Sequence, residues 1–518
     1  MKNIHVLWVD DEIELLSPYM IFLREKGYQV SSVNNGHEAI EMVAKNNFDI
    51  ILLDENMPGM SGLETLAEIK KAKPHIPVVM VTKSEEENIM DQAIGSKIAD
   101  YLIKPVNPNQ ILLVIKKNTE KTRLVSENTT QKYQMNFNRL SQEIAVTSDF
   151  EGWKNIYRKL VFWELELQES NDPYIDEILA QQKADVNNNF ARWIKCNYQD
   201  WFLPGDKNKP LLSPSIFRQK VYPLLDKHGK AFLILIDNLR FDQWHVISGL
   251  IGKFFRVEDD DLYCSILPTA TQYSRNAMFA GLMPSEINKM YPDIWLNDEE
   301  EGGKNMHEEE MLRKQHARFG RKESLLYIKA LHNRDGKKVV ENFNHIIQND
   351  FVVLVYNFVD ILSHARTEME MMKELAEDEK AYRSLTVSWF ENSPLFEIMQ
   401  MIANKNIPMI ITTDHGCIRV QNPVKVIGDR NTTTNIRYKQ GRNLNYNPKE
   451  VFEVTDPMKV YLPKTNISST YIFTTGYDFF VYPNNLNHFV KYYKNTFQHG
   501  GISLEEMLIP IATLIPNT

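Results

Sequence analysis

"FDIILLDENMPGMSG", Phe48 to Gly62, decides how the first part of the chain is read. Four consecutive apolar residues run into Asp54, then a Pro-Gly turn, then a helical pattern from Gly62. An unbroken apolar run of this length reads as a strand covered on both faces. Working outward, the same unit recurs. "IHVLWVDD" (4–11), "YQVSSV" (28–33), "IPVVMVT" (76–82) and "DYLIKP" (100–105) are strand-like. Between them lie the periodic stretches "HEAIEMVAKN", "GLETLAEIKK" and "EEENIMDQAIG", an earlier helix ending near Lys26 and a final one starting near Pro108. Alternating buried strands and helices predict a five-stranded parallel sheet, (βα)5 and flavodoxin-like, over residues 1–118.

In such sheets chemistry gathers at the carboxyl ends of the strands. Asp10 and Asp11 end the first strand, Asp54 the third, Thr82 the fourth and Lys104 the fifth. Three crowded carboxylates repel one another, and an oxygen-seeking cation such as Mg²⁺ relieves that. Asp54 is then placed to accept a phosphoryl group, with Lys104 pairing its oxygens and Thr82 hydrogen-bonding to them. The pattern resembles the receiver domain of two-component response regulators. The resemblance implies that Asp54 is the phosphorylation site and that the Asn56 backbone carbonyl completes the Mg²⁺ shell. It also implies that Tyr101 is the switch aromatic and that Lys104–Pro105 is a cis bond.

From 119 to 205 the strand signal is absent. Tyr133, Phe137, Leu140 and Ile144 recur at helical spacing, as do Trp153, Ile156, Tyr157, Leu160 and Val161. A third set, Ile175, Leu179, Val186, Phe190, Trp193 and Ile194, follows Pro173. A helical bundle is expected, acting either as a spacer or as a transmitter of dimerisation. "FLPGDKNKPLLSP" (202–214) has linker composition.

Over 206–518 the α/β signal returns. "AFLILID" (231–237), "FVVLVYN" (351–357) and "PMIITTD" (408–414) read as buried strands. Each leads to groups that bind metals: Asp237 after the first, Asp360 and His364 after the second, Asp414 and His415 after the third. His499 follows in "FQHGGISLEEMLIP". Zinc accepts this mixture of carboxylate and imidazole, and the set is large enough for two-metal chemistry. Thr271, in "LPTATQYSRN" (267–276), follows the first strand. A threonine hydroxyl is a poor nucleophile at pH 7 unless a bound cation lowers its pKa.

These pieces resemble the alkaline phosphatase superfamily, and its PglZ branch in particular. They are "LIDNLRFDQW", "LPTATQYSRNAMFAGLMP", "DILSH", "TTDHG" and "HGG-S-EEMLIP", in the family's order. The resemblance implies an alkaline phosphatase-like α/β domain with a mixed sheet and two Zn²⁺ ions. One ion would be held by Asp360, His364 and His499, the other by Asp237, Asp414, His415 and Thr271. It also makes Thr271 the nucleophile, with Thr269 as the other candidate. The Cys-x-Pro-x-Arg pattern of sulfatases is missing from the "PTAT" segment.

Two inserts interrupt this domain, about 284–345 and 419–470. The second carries Arg430, Arg437, Lys439 and Arg442 among Tyr and Asn, as a phosphate- and base-binding loop would. The other reading is a polar loop. The stretch 298–323, with His307 and His316, reads as a solvated helix, and His245 and His345 as surface or structural.

The whole layout resembles the PorX-type response regulators tied to type IX secretion and gliding in Bacteroidetes. That implies a PorY-like sensor histidine kinase, homodimerisation on phosphorylation, and an extracytoplasmic-function sigma factor or secretion component as partner.

The composition agrees with a soluble protein: 518 residues, 43% hydrophobic and 25% charged. No apolar run approaches the roughly 18–20 residues of a membrane span. The start, "MKNIHVLWVDDE", does not read as a secretory signal. Three scattered cysteines suggest a reducing cytoplasm. A net charge of −9 and the lack of a basic recognition helix argue against a DNA-binding regulator. Two functions stay open: a zinc-dependent phosphodiesterase acting on nucleotides or oligonucleotides, and a non-catalytic scaffold with a structural zinc site.

Overall fold

The computed structural model describes the chain apart from residues 1–3, 84–97, 120, 169–172, 206–207, 299, 301–302, 369–375, 377, 430–431 and 518. For 121–128, 173 and 364–368 it describes the helical backbone alone. The chain forms two compact units, Met1–Gln134 with Glu169–Asn171, and Met135–Gln168 with Asp172–Thr518. Among the described residues no helix is long and apolar enough to cross a membrane.

In the first unit β1 (His5–Val9), β2 (Gln29–Val33), β3 (Ile50–Asp54), β4 (Val78–Thr82) and β5 (Asp100–Ile103) form one sheet. The order is β2-β1-β3-β4-β5, and every pairing is parallel. Side chains alternate across a strand. Val6 and Trp8 therefore join the core on one face of the sheet, while Leu7 and Val9 join the core on the other. The helix Gly62–Ala72 opens on a capping box between Ser61 and Glu64. The helix expected over "EEENIMDQAIG" lies outside the described residues.

The larger unit is built on six strands: β6 (Ala231–Ile236), β7 (Phe255–Cys264), β8 (Leu325–Ala330), β9 (Phe351–Tyr356), β10 (Met409–Thr412) and, at the end of the chain, Leu508–Pro516. From one edge they run β7, Leu508–Pro516, β10, β6, β9, β8. β10, β6, β9 and the edge strand β8 are parallel, and Leu508–Pro516 and β7 add on antiparallel at the other side, so the sheet is mixed. β6 is flanked by β9 on one side and β10 on the other, reached by separate connections. That leaves a crevice at the carboxyl end of β6, where such sheets bind ligands.

The segment 419–470 is folded rather than loop-like. It contributes β11 (Ile418–Arg419), β12 (Asn422–Ile427), β13 (Tyr438–Arg442), β14 (Asn445–Tyr446) and β15 (Phe452–Val454) to three small sheets. These are completed by β16 (Ser469–Phe473), β17 (Asp478–Val481) and β18 (Phe497–Gln498). With these introduced, the C-terminal strand Leu508–Pro516 is β19.

The middle helices are Lys121–Val146, Phe150–Leu167 and Pro173–Asn197. The last two pack into the larger unit. Lys154 Nζ lies 2.7 Å from Asp261. Glu164 joins Lys183 at 2.8 Å and Arg383 at 2.5 Å. The stretch 298–323 differs from its expected solvated helix. In the helix Glu308–Arg318, the residues Glu308, Met311, Leu312 and Gln315 are buried. Their spacing marks one helix face, which charged neighbours hide in the sequence. His316 is buried too, and burial lowers its pKa.

Candidate functional site

In the first unit, Asp10, Asp11 and Asp54 each bring a carboxylate oxygen within 4.8 Å of the others. Lys104 Nζ sits 2.7 Å from Asp10 and 3.0 Å from Asp54. Burial pushes the Asp54 carboxyl above its usual range, and Lys104 pulls it back. Asp10 and Asp54 are buried while Asp11 faces solvent, so a cation would enter from the Asp11 side. Thr82 is buried at the end of β4, Tyr101 is 38% exposed on β5, and Asn56 is exposed. The Lys104–Pro105 bond is cis, and so is Leu267–Pro268, which the sequence reading did not anticipate.

In the second unit the crevice gathers residues separated by more than 200 positions. Asp237, Asp414 and His415 are buried and offer ligand atoms within 4.8 Å of one another. They follow β6 and β10, neighbours in the sheet. The Asp237 Oδ1 atom is buried with no hydrogen-bond partner, 3.8 Å from His415 Nε2. Burial holds the His415 imidazole at about 4, so it is neutral and its ring nitrogen is available as a ligand at pH 7. An orphaned carboxylate oxygen beside a neutral imidazole fits a divalent cation.

The mouth is formed by Thr271, Asp360 and His499, all partly accessible. Thr271 Oγ1 is 3.0 Å from His415 Nε2. The His415 and His499 rings stack with centroids 4.1 Å apart, and His499 Nε2 is 3.8 Å from Asp360 Oδ1. Burial pushes the Asp360 carboxyl well up, and the Asp237 and Asp414 charges add to it. A cation there would oppose that shift. The His364 side chain lies outside the described residues.

The two threonines of "PTAT" differ in their partners. Thr269 is fully buried, donates to the Gly501 carbonyl at 2.9 Å and accepts from the Gly500 amide at 3.0 Å. Its hydroxyl fixes the turn that carries His499, whose Nδ1 lies 3.1 Å from the Thr269 carbonyl. Thr271 begins the helix Thr271–Ala280, and its hydroxyl is turned to His415. Gly500 has φ +124°, a conformation open chiefly to glycine. A Cβ on Gly416 would collide with the Glu505 carbonyl oxygen.

The helical middle touches this site from behind. The Leu267 amide donates to Tyr198 Oη at 2.8 Å, and the Leu504 amide donates to Asn187 Oδ1 at 2.9 Å. Tyr198→Phe leaves a buried N–H unpaired. It should lower the stability of this unit by about 1–3 kcal/mol, read from urea unfolding.

Three residues were missed by the sequence reading. Asn238, at φ +64°, donates to Ser363 Oγ at 3.1 Å and reaches Asp360 at 3.5 Å. Arg275 and Glu308 lie behind Asp237 and Asp414. Arg275 was legible in principle, being one helical turn after Thr271 and so on the same face.

Two of the residues nominated for substrate are interior. Arg437 is fully buried, with Nε 3.0 Å from Glu506 Oε1 and a second nitrogen 2.5 Å from Oε2. Lys439 is buried, donates to the Thr433 carbonyl at 2.7 Å, and lies 4.8 Å over the Tyr482 ring. Burial brings its ammonium down to about 7. Lys439 lies on β13 and Arg437 immediately precedes it, in a stretch where Arg437 to Gly441 are all buried. Arg442, at the end of β13, is exposed, and Arg430 lies outside the described residues.

Comparison with known proteins follows the same division. Residues 216–514 match the family described as the BREX system PglZ alkaline phosphatase-like domain. Residues 6–116 match the response regulator receiver domain, and 123–202 the PorX response regulator linker domain. Among curated relatives, the transcriptional regulatory protein ZraR of Klebsiella oxytoca is 36% identical over 130 residues. That match takes 25% of this chain and 29% of ZraR. The transcriptional regulatory protein ResD of Bacillus subtilis (strain 168) is 32% identical over 139 residues, 26% of this chain and 58% of ResD. A CheY-like receiver domain structure from Methanospirillum hungatei JF-1 is 27% identical with TM-score 0.23. It covers 23% of this chain and 96% of that one.

Proposed function

Because the chain belongs to the PglZ alkaline phosphatase-like family, and is a response regulator with a receiver and a PorX-type linker ahead of that domain, we propose that it is a phosphorylation-controlled, zinc-dependent phosphodiesterase. Nucleotides or oligonucleotides are the proposed substrates. The observation that carries the reading is the Thr271 hydroxyl, partly exposed and 3.0 Å from His415, above the buried Asp237–Asp414–His415 cluster.

Asp237, Asp414, His415 and Thr271 would hold one zinc ion, and Asp360, His364 and His499 the other. Zinc, when bound, would supply Lewis acidity and neutralise charge on the transferred phosphoryl group. Thr271 Oγ1 would lose its proton to solvent and attack phosphorus; the P–O bond to the leaving group breaks, the departing oxygen takes that electron pair and a proton from water, and the rest of the substrate stays on Thr271 as a covalent threonyl phosphodiester. Water then cleaves it and regenerates the hydroxyl. Asn238 steadies Asp360 from the side, and Thr269 keeps His499 turned to the site.

A receiver domain implies a phosphodonor such as a histidine kinase. The proposed kinase is PorY-like, the acceptor is Asp54 with Mg²⁺ held by Asp10, Asp11, Asp54 and the Asn56 carbonyl, and the consequence is homodimerisation. Type IX secretion and gliding are the proposed outputs, through an extracytoplasmic-function sigma factor or a secretion component. Light scattering with acetyl phosphate and Mg²⁺ should show a shift from monomer to dimer, absent in Asp54→Asn. A wild type that stays monomeric under these conditions would remove dimerisation from the proposal.

A second reading, a non-catalytic scaffold, draws on one feature: Arg275 pairs with both Asp237 and Asp414, which offsets part of their charge. Hydrolysis of a chromogenic phosphodiester by the purified full chain with Zn²⁺ separates the two. Turnover supports the enzyme, and its absence with zinc bound supports the scaffold.

A further inference from the structure

Arg275 is fully buried, and each of its three guanidinium nitrogens faces a different acid. Nε lies 3.0 Å from Asp414 Oδ2 and Nη1 3.2 Å from Glu308 Oε1, while Nη2 meets Asp237 Oδ2. Asp237 thus turns one oxygen to Arg275 and leaves the other, Oδ1, toward His415. Glu308 comes from the first insert, is buried, and is held at its far oxygen by Lys329 at 2.9 Å and by the Tyr327 hydroxyl. A row of alternating charge therefore runs from the Asp237–Asp414 pair through Arg275 and Glu308 to Lys329.

We propose that Arg275 is a positioning residue that aims Asp237 and Asp414 at a metal ion, and that Glu308 anchors Arg275 so that it does not take those carboxylates for itself. The inference rests on the reading of the crevice as a metal centre. Its physical basis is twofold. Groups behind a ligand that fix its orientation commonly change metal affinity about 10–100-fold when removed. A planar guanidinium can also bridge separate carboxylates, whereas an ammonium is a single point of charge. The first insert is thereby assigned a part in building the site. Without Glu308, Arg275 would be shared between two acids instead of three, and the pocket would lose one negative charge. Both changes weaken cation binding.

The experiment is competition for zinc against a chromogenic chelator, using the full chain as wild type, Arg275→Lys and Glu308→Gln. Circular dichroism checks that each is folded, and the Co²⁺-substituted absorption spectrum reports ligand geometry. Both variants should bind zinc about 10–100-fold more weakly, with an altered cobalt spectrum. Glu308→Gln keeps the shape while removing the charge and one of the two acceptor oxygens, so it tests the idea even if Arg275→Lys does not fold. Unchanged or tighter zinc binding in the folded variants would overturn the inference alone, tighter binding showing that Arg275 competes with the metal. A wild type that binds no zinc would overturn the metal-centre reading along with it.

Discussion

Thr271→Ala is expected to lower phosphodiester turnover by about three orders of magnitude or more, with zinc content largely retained. The reason is the division of labour in the crevice. The buried floor, Asp237, Asp414 and His415, offers three ligand atoms that do not include the threonine. Removing Oγ1 takes away the attacking atom but leaves those three in place. Thr269→Ala should behave differently. Its hydroxyl bonds the Gly500 and Gly501 backbone, so its loss should disturb His499 and lower stability as well as turnover. The measurement is single-turnover hydrolysis with metal analysis on the same samples. Equal rates for wild type and Thr271→Ala would remove Thr271 from the chemistry.

Arg437→Met should destabilise the larger unit by about 3–5 kcal/mol, because it leaves a buried carboxylate without its cation. Glu506 is fully buried. It accepts from Arg437, from the Gly501 amide at 2.9 Å and from the Ser503 hydroxyl at 2.7 Å. This network holds the segment that follows His499. Denaturant unfolding would read the loss. The same variant separates a substrate role from a structural one. A substrate-binding arginine would raise KM with stability unchanged, whereas the buried pair predicts that stability falls first.

Much of this protein is legible in its residues. Apolar runs that end in acids, such as those before Asp54, Asp237 and Asp414, mark strands and site together. A parallel sheet must bury its strands and can present charge only at their ends. The helical middle shows its period for the same reason. What stayed hidden was set by neighbours far away in the chain. Basic residues in the second insert look like phosphate contacts until the fold brings Arg437, just before β13, against the buried Glu506. Glu308 looks like one acid among many until its helix packs beside Thr271–Ala280.

The sequence by itself determined the strand and helix order, the acids at the strand ends and the histidines that follow them, because these are written in local pattern. Only the tertiary structure decided which threonine faces His415, which arginine lies behind the aspartates and which is locked on Glu506. Those choices depend on partners hundreds of residues away. A buried charge is fixed by whichever opposite charge the fold brings against it.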